Sequence, residues 1–184
     1  MNWISILPAL ALAFLFVAPS ARAGCREVVR DSGGRILYTV QHWKSADGTD
    51  HATIRDASGR ITGTAVTRSG FSGSSRTVYR DASGRIAGTA SSNKTFGTST
   101  HTTFRDSSGR ITGTADARTH PGHSTTTSHR DAAGRSTGVS TTRCNPSGRG
   151  CSTTRRDQSG RIISSGSSHH RCHLPVPYPS LIRK

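Results

Sequence analysis

A six-residue motif, Arg-Asp-x-x-Gly-Arg, occurs six times along the chain and gives it a period of 25 residues. The copies begin at the following arginines, the last step being one residue longer: Arg30, Arg55, Arg80, Arg105, Arg130 and Arg156. A period kept this closely is typical of a tandem array, in which each unit is one supersecondary element packed against its neighbours. The sequence therefore predicts six repeats of about 25 residues.

Each motif carries the residues of a β-hairpin turn. Asp suits the first position of a type I turn, and Gly three residues later suits the position where a G1 bulge needs a positive φ. The turn residues predicted for the four central repeats are Asp56 and Gly59, Asp81 and Gly84, Asp106 and Gly109, and Asp131 and Gly134. Because a strand flanks each side of such a turn, the predicted fold is all-β and consists of six tandem hairpins.

A two-residue alternation predicts which side chains form the core. After the turn, Ile86 and Ala90 fall on one face, and the same pair recurs in neighbouring repeats. A Gly such as Gly63 recurs between the two, which indicates a close approach of two backbones. The residue before each motif is apolar in four repeats and polar in the last two: Val29, Ile54, Tyr79, Phe104, His129 and Arg155.

The amino-terminal segment is predicted to direct secretion. Residues 1–21 carry no charged side chain, and an apolar run over 4–17 precedes Ala21-Arg22-Ala23. This pattern is typical of a signal peptide, with cleavage after Ala23 and a secreted or periplasmic product. The predicted repeat domain covers 24–173, and 174–184 form a Pro-rich tail. The alternatives are an uncleaved membrane anchor and a lipoprotein anchored through Cys25.

The four cysteines share two phases of the repeat. Cys25 and Cys151 each lie five residues before a motif, and Cys144 and Cys172 lie at nearly equal distances after one. Four cysteines allow three connectivities, and pairing Cys144 with Cys151 and Cys25 with Cys172 makes the two bridges equivalent. We expect the first bridge to close the loop between repeats five and six. The second would close the array into a ring.

Few residues suggest catalysis or metal binding. Six of the ten acidic residues belong to the predicted turns, so the remaining acid–base candidates are Asp47 and Asp50 beside His51. A solvated loop is the favoured interpretation of those three, and we predict no catalytic residue, no cofactor and no metal site. The alternatives are a secreted hydrolase that uses these residues, and a zinc or copper site formed by His169, His170 and His173.

Charge provides the main functional indication. The chain has a formal net charge of +15, and every motif brings two Arg and one Asp. Stacked repeats would gather these arginines on one rim, where guanidinium groups bind phosphates or carboxylates in a bidentate manner. The predicted binding residues are Arg55, Arg60, Arg80, Arg85, Arg105, Arg110, Arg130 and Arg135. The alternative is that Arg and Asp pair across each hairpin and the surplus charge only maintains solubility.

The expected partners are anionic cell-surface polymers or glycans. Sequence-specific nucleic-acid recognition is not expected, because the aromatic residues are predicted to lie in the core and not to stack on bases. A third possibility is that outward rows of Thr bind sugars or ice; these rows comprise Thr62, Thr64, Thr112 and Thr114. The membrane is predicted to be involved only through the signal peptide or lipidation.

The segment Tyr79-Arg80-Asp81-Ala82-Ser83-Gly84-Arg85-Ile86 resembles the Tyr-Asp-x-x-Gly-Arg-Leu/Ile core of YD (Rhs-type) repeats, which occur in bacterial cell-surface and secreted proteins. The resemblance covers all six motifs and most of residues 26–168. It implies an extracytoplasmic array of β-hairpins. Small flower-like assemblies of hairpins are a second resemblance. Together these observations predict a non-enzymatic structural or binding module, with a membrane-anchored lipoprotein scaffold or a hydrolase as alternatives.

Overall fold

The computed structural model describes residues 24–95, 97–147 and 149–169, and there every repeat forms a β-hairpin. The strands are β1 (Cys25–Asp31), β2 (Ile36–Lys44), β3 (Asp50–Asp56), β4 (Ile61–Ser69), β5 (Ser75–Asp81), β6 (Ile86–Lys94), β7 (Ser99–Asp106), β8 (Ile111–His120), β9 (Ser124–Asp131), β10 (Ser136–Cys144), β11 (Cys151–Arg156) and β12 (Ile162–Ser168). A short 3₁₀ turn, Phe71–Gly73, lies between β4 and β5. All pairings of neighbouring strands are antiparallel.

The array closes on itself. β1 pairs with β2 on one side and with β12 on the other, from Glu27 opposite Ser168 to Asp31 opposite Ser164. Because the twelve described strands form a closed barrel, none of them is an edge strand with unpaired backbone groups. The predicted all-β fold of six hairpins closed into a ring is therefore confirmed. The predicted signal peptide (1–23) with its cleavage site after Ala23, and the tail (174–184), lie outside the described residues.

Hydrogen bonds within each turn account for the Asp and the Gly of the motif. The backbone N–H of Asp donates to the carbonyl of the second Arg at 2.9–3.0 Å, and the Gly N–H donates to the Asp carbonyl at 3.0–3.1 Å. One oxygen of each Asp carboxylate accepts two further backbone N–H groups, including that of the second Arg at 2.8–3.0 Å. The Gly has a φ of about +80° throughout, as at Gly84 (φ 79°), which only Gly adopts without strain.

The predicted burial of the Ile after the turn is wrong. Ile61, Ile86 and Ile111 are 46%, 47% and 45% exposed. The register of the two strands shows why. Tyr79 is opposite Gly88, but the next residue, Arg80, is opposite Ile86. The second strand therefore has one extra residue at this point. Such a bulge interrupts the two-residue alternation and turns the Ile away from the core.

The core is formed instead by the first strands of the hairpins and the Ala of the second strands. Val29, Ile54, Tyr79 and Phe104 are all buried, as predicted. Of these four residues, all but Val29 belong to one buried cluster, which also contains Val40, Ala52, Ala65, Ala90 and Ala115. The positions equivalent to Tyr79 in the last two repeats are His129 and Arg155, so the interior is apolar in repeats two to four and polar where the ring closes.

The interior Gly of the second strand marks a close backbone approach, as predicted. A Cβ at Gly63 would lie 2.6 Å from the carbonyl oxygen of Arg80, and one at Gly113 would lie 2.5 Å from that of Arg130. Real Cβ atoms do not approach a backbone oxygen this closely. The neighbouring strand would have to move to accept any side chain there.

The disulfide Cys144–Cys151 is confirmed, with its Cα atoms 4.0 Å apart. These residues are directly opposite on β10 and β11, and a hydrogen bond from Asn145 N–H to the Gly150 carbonyl closes the loop above them. Cys25 also takes part in a disulfide bond. Its predicted partner, Cys172, lies outside the described residues. Within the described ranges no helix is both long and apolar enough to cross a membrane.

Two Gly→Ala variants should separate conformational strain from steric strain. At Gly84 nothing lies within 4 Å of an added Cβ, so Gly84→Ala should cost only the left-handed conformation, about 1–2 kcal/mol of unfolding free energy. Gly63 does not have a positive φ, so Gly63→Ala has only a steric cost, which should be larger because the added methyl would displace the β5 backbone. Urea unfolding measures both values. Equal costs would contradict the close approach at Gly63.

Removing the disulfide between repeats five and six should destabilise the barrel modestly. The chain-entropy model gives about 2.5 kcal/mol for so short a loop. Cys144→Ser/Cys151→Ser should therefore lower the melting temperature by roughly 5–10 °C while leaving the circular dichroism spectrum of the folded state unchanged. Loss of folded structure at 25 °C would show instead that the bridge is essential to closure.

Candidate functional site

All six motif turns lie at the same end of the barrel. Every motif connects an odd-numbered strand to the next strand, and antiparallel pairing points all odd-numbered strands in one direction. The turns therefore bring twelve arginines and six aspartates to one end, which we call the arginine rim. The rim comprises Arg30, Arg35, Arg55, Arg60, Arg80, Arg85, Arg105, Arg110, Arg130, Arg135, Arg156 and Arg161.

The first Arg of each motif stabilises its own turn. Its Nη1 donates a hydrogen bond to the carbonyl of the motif Gly, at 2.8 Å for Arg80 and Gly84 and at 2.7–3.1 Å over the six repeats. The residue is on the outer wall, and its guanidinium group folds back over the turn. The alternative in which Arg and Asp pair across the hairpin is therefore wrong, because this Arg binds a carbonyl and the Asp binds backbone N–H groups.

The second Arg uses its backbone in the turn and leaves its side chain in solvent. In all six repeats this residue is exposed, and its guanidinium makes no hydrogen bond or ion pair with any residue that the structure describes. Arg60 has a weak charge interaction with Asp56, whose pKa is lowered chiefly by a hydrogen bond from Ser58. Each repeat thus has one guanidinium that hydrogen-bonds to its own turn, which we call engaged. It has a second guanidinium that is exposed to solvent, which we call available.

The eight predicted binding arginines fall into these two groups. Arg60, Arg85, Arg110 and Arg135 have available side chains, whereas Arg55, Arg80, Arg105 and Arg130 each use Nη1 for a Gly carbonyl. The same rim also contains Arg35 and Arg161, which the predicted binding set omitted. Both residues could have been predicted from the repeat, since the first and last motifs are complete.

A second group of polar residues lies inside the barrel, where the first and last repeats meet. Glu27 is 8% exposed, and burial raises the pKa of its carboxyl group. Gly166 stands where repeats two to four have Ala65, Ala90 and Ala115, and a Cβ at Gly166 would lie 3.0 Å from Glu27 Oε1. The missing side chain therefore makes room for the carboxyl group.

Three more titratable residues share this interior. Burial and the charge of Glu27 raise the pKa of Tyr38 to about 12, while Arg155 acts in the opposite direction. His129 shares a 2.9 Å hydrogen bond between Nε2 and Ser140 Oγ. Burial and the nearby charge of Arg155 lower the pKa of His129 to about 4. Closure of the ring thus brings residues of four different strands into one interior, where Tyr38 interacts with the charges of Glu27 and Arg155, and His129 with that of Arg155.

The acid–base candidates of the sequence have separate local partners. Asp47 accepts hydrogen bonds from Ser45 and Thr49 within the β2–β3 turn, and these lower its pKa to about 2. Asp50 forms an ion pair with Lys44 at 3.5 Å. His51 stacks on Trp43, with ring centroids 4.0 Å apart. Each residue therefore has a local partner of its own.

An Asp–His pair that the sequence did not suggest lies on the outer wall. His101 Nδ1 and Asp116 Oδ1 are 2.6 Å apart on β7 and β8. Both side chains are roughly half exposed, and exposed ion pairs of this kind contribute little to stability. Asp116 also lines a shallow depression of about 390 Å³, together with Arg118, His120 and Ser128. The sequence could not reveal this pairing because the two residues meet only through the register of β7 and β8.

The described ranges contain no group of three or more His, Cys, Asp or Glu side chains that could hold a metal ion. Of the suggested metal ligands, His169 is exposed and follows β12. His170 and His173 lie outside the described residues.

Comparison with known proteins finds no protein-family model that matches the chain and no curated protein that matches its sequence. Functional assignment therefore depends on the geometry described above.

Acid should destabilise the barrel through His129. Its folded-state pKa of about 4 is below the unfolded value of 6.5, so its stabilising contribution is complete above pH 6.5 and is lost as the pH falls towards 4. We expect a loss of about 1–2 kcal/mol, allowing for solvent screening of a half-buried ring.

Glu27 has the opposite effect on the pH dependence of stability. Because burial raises the pKa of its carboxyl group above 4.5, ionisation of this group destabilises the fold as the pH rises above 4.5. The measurement is therefore urea unfolding between pH 4 and 7 of Glu27→Gln and of Glu27→Gln/His129→Gln. The single variant should lose more stability towards pH 4 than the double variant. Identical pH profiles would contradict the assignment to His129. His42, whose pKa burial also lowers, is present in both variants and cancels in the difference.

Proposed function

We propose that the protein is a secreted or envelope-associated, non-enzymatic module that binds anionic cell-surface polymers through the second arginines of the arginine rim. The observation that carries the proposal is the presence of an exposed, unengaged guanidinium in each of six turns around one end of a closed barrel. The turn geometry does not need this side chain, since only the backbone of the second Arg takes part in it.

The spacing of the turns favours a polymer over a single small anion. Neighbouring motif turns are two strands apart, which corresponds to about 10 Å. One phosphate or carboxylate group cannot span that distance, but a chain with many such groups can contact several turns at once. Each Arg can bind an anionic group in a bidentate manner, and linked contacts increase the effective concentration of the next one.

The charge of the rim is not cancelled by its aspartates. Each turn carries two Arg and one Asp, and the Asp carboxylate is directed at the backbone N–H groups of its own turn. A surplus of one positive charge per turn remains, repeated around the ring. Such a field attracts polyanions and accelerates their association at low salt.

Other observations support a non-enzymatic protein outside the cytoplasm. Asp47, Asp50 and His51 are each occupied by a local contact, so the hydrolase alternative has no assembled acid–base pair among them. Disulfide bonds such as Cys144–Cys151 persist in oxidising compartments. The participation of Cys25 in a disulfide also favours this proposal over the lipoprotein alternative, because a bridged sulfur cannot carry a lipid.

The test compares two variants that lose equal charge. One replaces the available rim residues Arg60, Arg85, Arg110 and Arg135 by Gln. The other replaces Arg68, Arg76, Arg118 and Arg143 by Gln; these are exposed residues located away from the motif turns. Retention on immobilised DNA and dextran sulfate is measured over a salt gradient. For DNA, we expect the slope of log K against log salt to fall by about 3 in the rim variant and by less than 1 in the control.

Equal losses in the two variants would show that net charge alone causes retention and would overturn the role of the rim. Absence of retention of the unmodified protein would indicate a purely structural role. Replacing Arg80 by Gln provides an internal check, because this first Arg should affect the stability of its turn more than retention.

A further inference from the structure

The outer wall carries an exposed aromatic stack, at the end of the barrel opposite the arginine rim. Trp43 on β2 and His51 on β3 are directly opposite each other, with ring centroids 4.0 Å apart and planes within 4° of parallel. Trp43 remains 47% exposed. Stacking on His51 fixes the orientation of the indole ring, so that its flat apolar face stands out from the sheet.

Strand pairing does not require an aromatic residue at this position. The equivalent residue is polar in each of the other repeats: Arg68, Asn93, Arg118, Arg143 and His169. Those hairpins form without an aromatic side chain at this position, and Trp43 does not belong to the buried core cluster. The large exposed ring is therefore an addition to the repeat and has no counterpart in its structural pattern.

One face of the Trp43 ring is covered, and the position next to the other face has no side chain. His51 covers the face towards β3. On the other side, β1 begins at Cys25, which pairs with His42, so the residue beside Trp43 is Gly24. A Cβ at Gly24 would lie 2.7 Å from the His42 carbonyl oxygen, which confirms how close the two strands are. We call the space between this face of the indole and the backbone of Gly24 the slot.

Polar groups border this slot on the same outer face. Arg26 and Gln41 are opposite each other on β1 and β2, are both exposed, and lie two residues, or about 7 Å, from Gly24 and Trp43. Gln offers both donors and an acceptor, and Arg offers a donor fork. A ring that stacked on the indole could therefore extend hydroxyl or carboxylate substituents to these two side chains.

We propose that this slot binds a pyranose unit of a polysaccharide, whose apolar ring face stacks on Trp43 and whose substituents bind Arg26 and Gln41. A flat apolar surface beside a few convergent polar groups suits such a ring. A stacked nucleobase is less suited, since base-stacking proteins place their aromatic residues along a basic groove. The nearest second arginine along the chain, Arg35, precedes β2 and is eight residues, or about 26 Å, from Trp43. The site is separate from the rim, so the two proposals can fail independently.

Tryptophan fluorescence gives a direct test. The chain has two tryptophans, and the predicted cleavage after Ala23 removes Trp3, so Trp43 is the only indole of the processed protein; a Trp3→Phe background gives the same result where the leader is retained. Cellotriose, trigalacturonate and the oligonucleotide dT3 are titrated separately. We expect a saccharide to change the emission with an affinity of about millimolar for one stacked ring. Trigalacturonate should bind more tightly than cellotriose, and Arg26→Gln should remove that difference.

Isothermal titration then compares variants with and without the indole. Trp43→Ala should weaken saccharide binding about tenfold or more, whereas Trp43→Phe should retain most of it. Phe71→Ala is the matched control, because Phe71 is an exposed aromatic residue (96%) in another loop and should have no effect. Thermal unfolding shows that each variant is folded.

The proposal is overturned if Trp43→Ala binds as well as the unmodified protein, if neither saccharide binds, or if dT3 binds more tightly than both. The rim variant with four Arg→Gln replacements should bind cellotriose normally, which separates this site from the rim.

Discussion

The pairing of β1 with β12 is the constraint on which the rest of the structure depends. Each hairpin has only two or three apolar side chains to bury, too few to stabilise an isolated unit against the entropy of ordering some 25 residues. Closure removes both free edges and covers the interior of every hairpin with its neighbours. It also explains the position of the cysteines. Cys25 is in a disulfide at the start of the ring, and Cys144–Cys151 joins the fifth hairpin to the sixth. Cross-links of this kind compensate for a small core.

The residues of the motif have two roles: most of them complete the turn, and one side chain remains exposed to solvent. Asp binds backbone N–H groups, the first Arg binds the Gly carbonyl, and Gly supplies the left-handed conformation. These contacts complete the turn without using the second guanidinium. A repeat selected only for its turn would not need Arg at that position, since any residue can supply a backbone N–H and carbonyl. The geometry of the turn therefore does not explain the presence of Arg at this position in all six copies.

Much of the fold could be predicted from the sequence because the period, the turn residues and the cysteine phases are local or repetitive signals. The burial of Ile54, Tyr79 and Phe104 followed from simple alternation. The exposure of Ile86 did not, because one extra residue opposite Arg80 shifts the alternation, and that bulge is visible only in the register.

The candidate site was predicted in part. The rim arginines could be named, but their division into engaged and available groups depends on the direction in which each side chain points. The Trp43–His51 stack and the Glu27 interior depend on contacts between strands that no local pattern reports.

The departures from the repeat are as informative as the repeat itself. Glu27, Tyr38, His129 and Arg155 occupy interior positions that are small or apolar in repeats two to four, and Gly166 loses its methyl group where the Glu27 carboxyl needs space. Buried titratable groups are costly, so a core designed only for stability would use the apolar pattern of the central repeats throughout. Trp43 departs in the opposite sense, placing a large apolar ring where the other repeats are polar. Glu27, Tyr38 and Trp43 belong to the first repeat, whereas His129 and Arg155 belong to the fifth and sixth. The central repeats therefore provide a regular scaffold, and the residues that differ from it come from the repeats at the two ends of the chain.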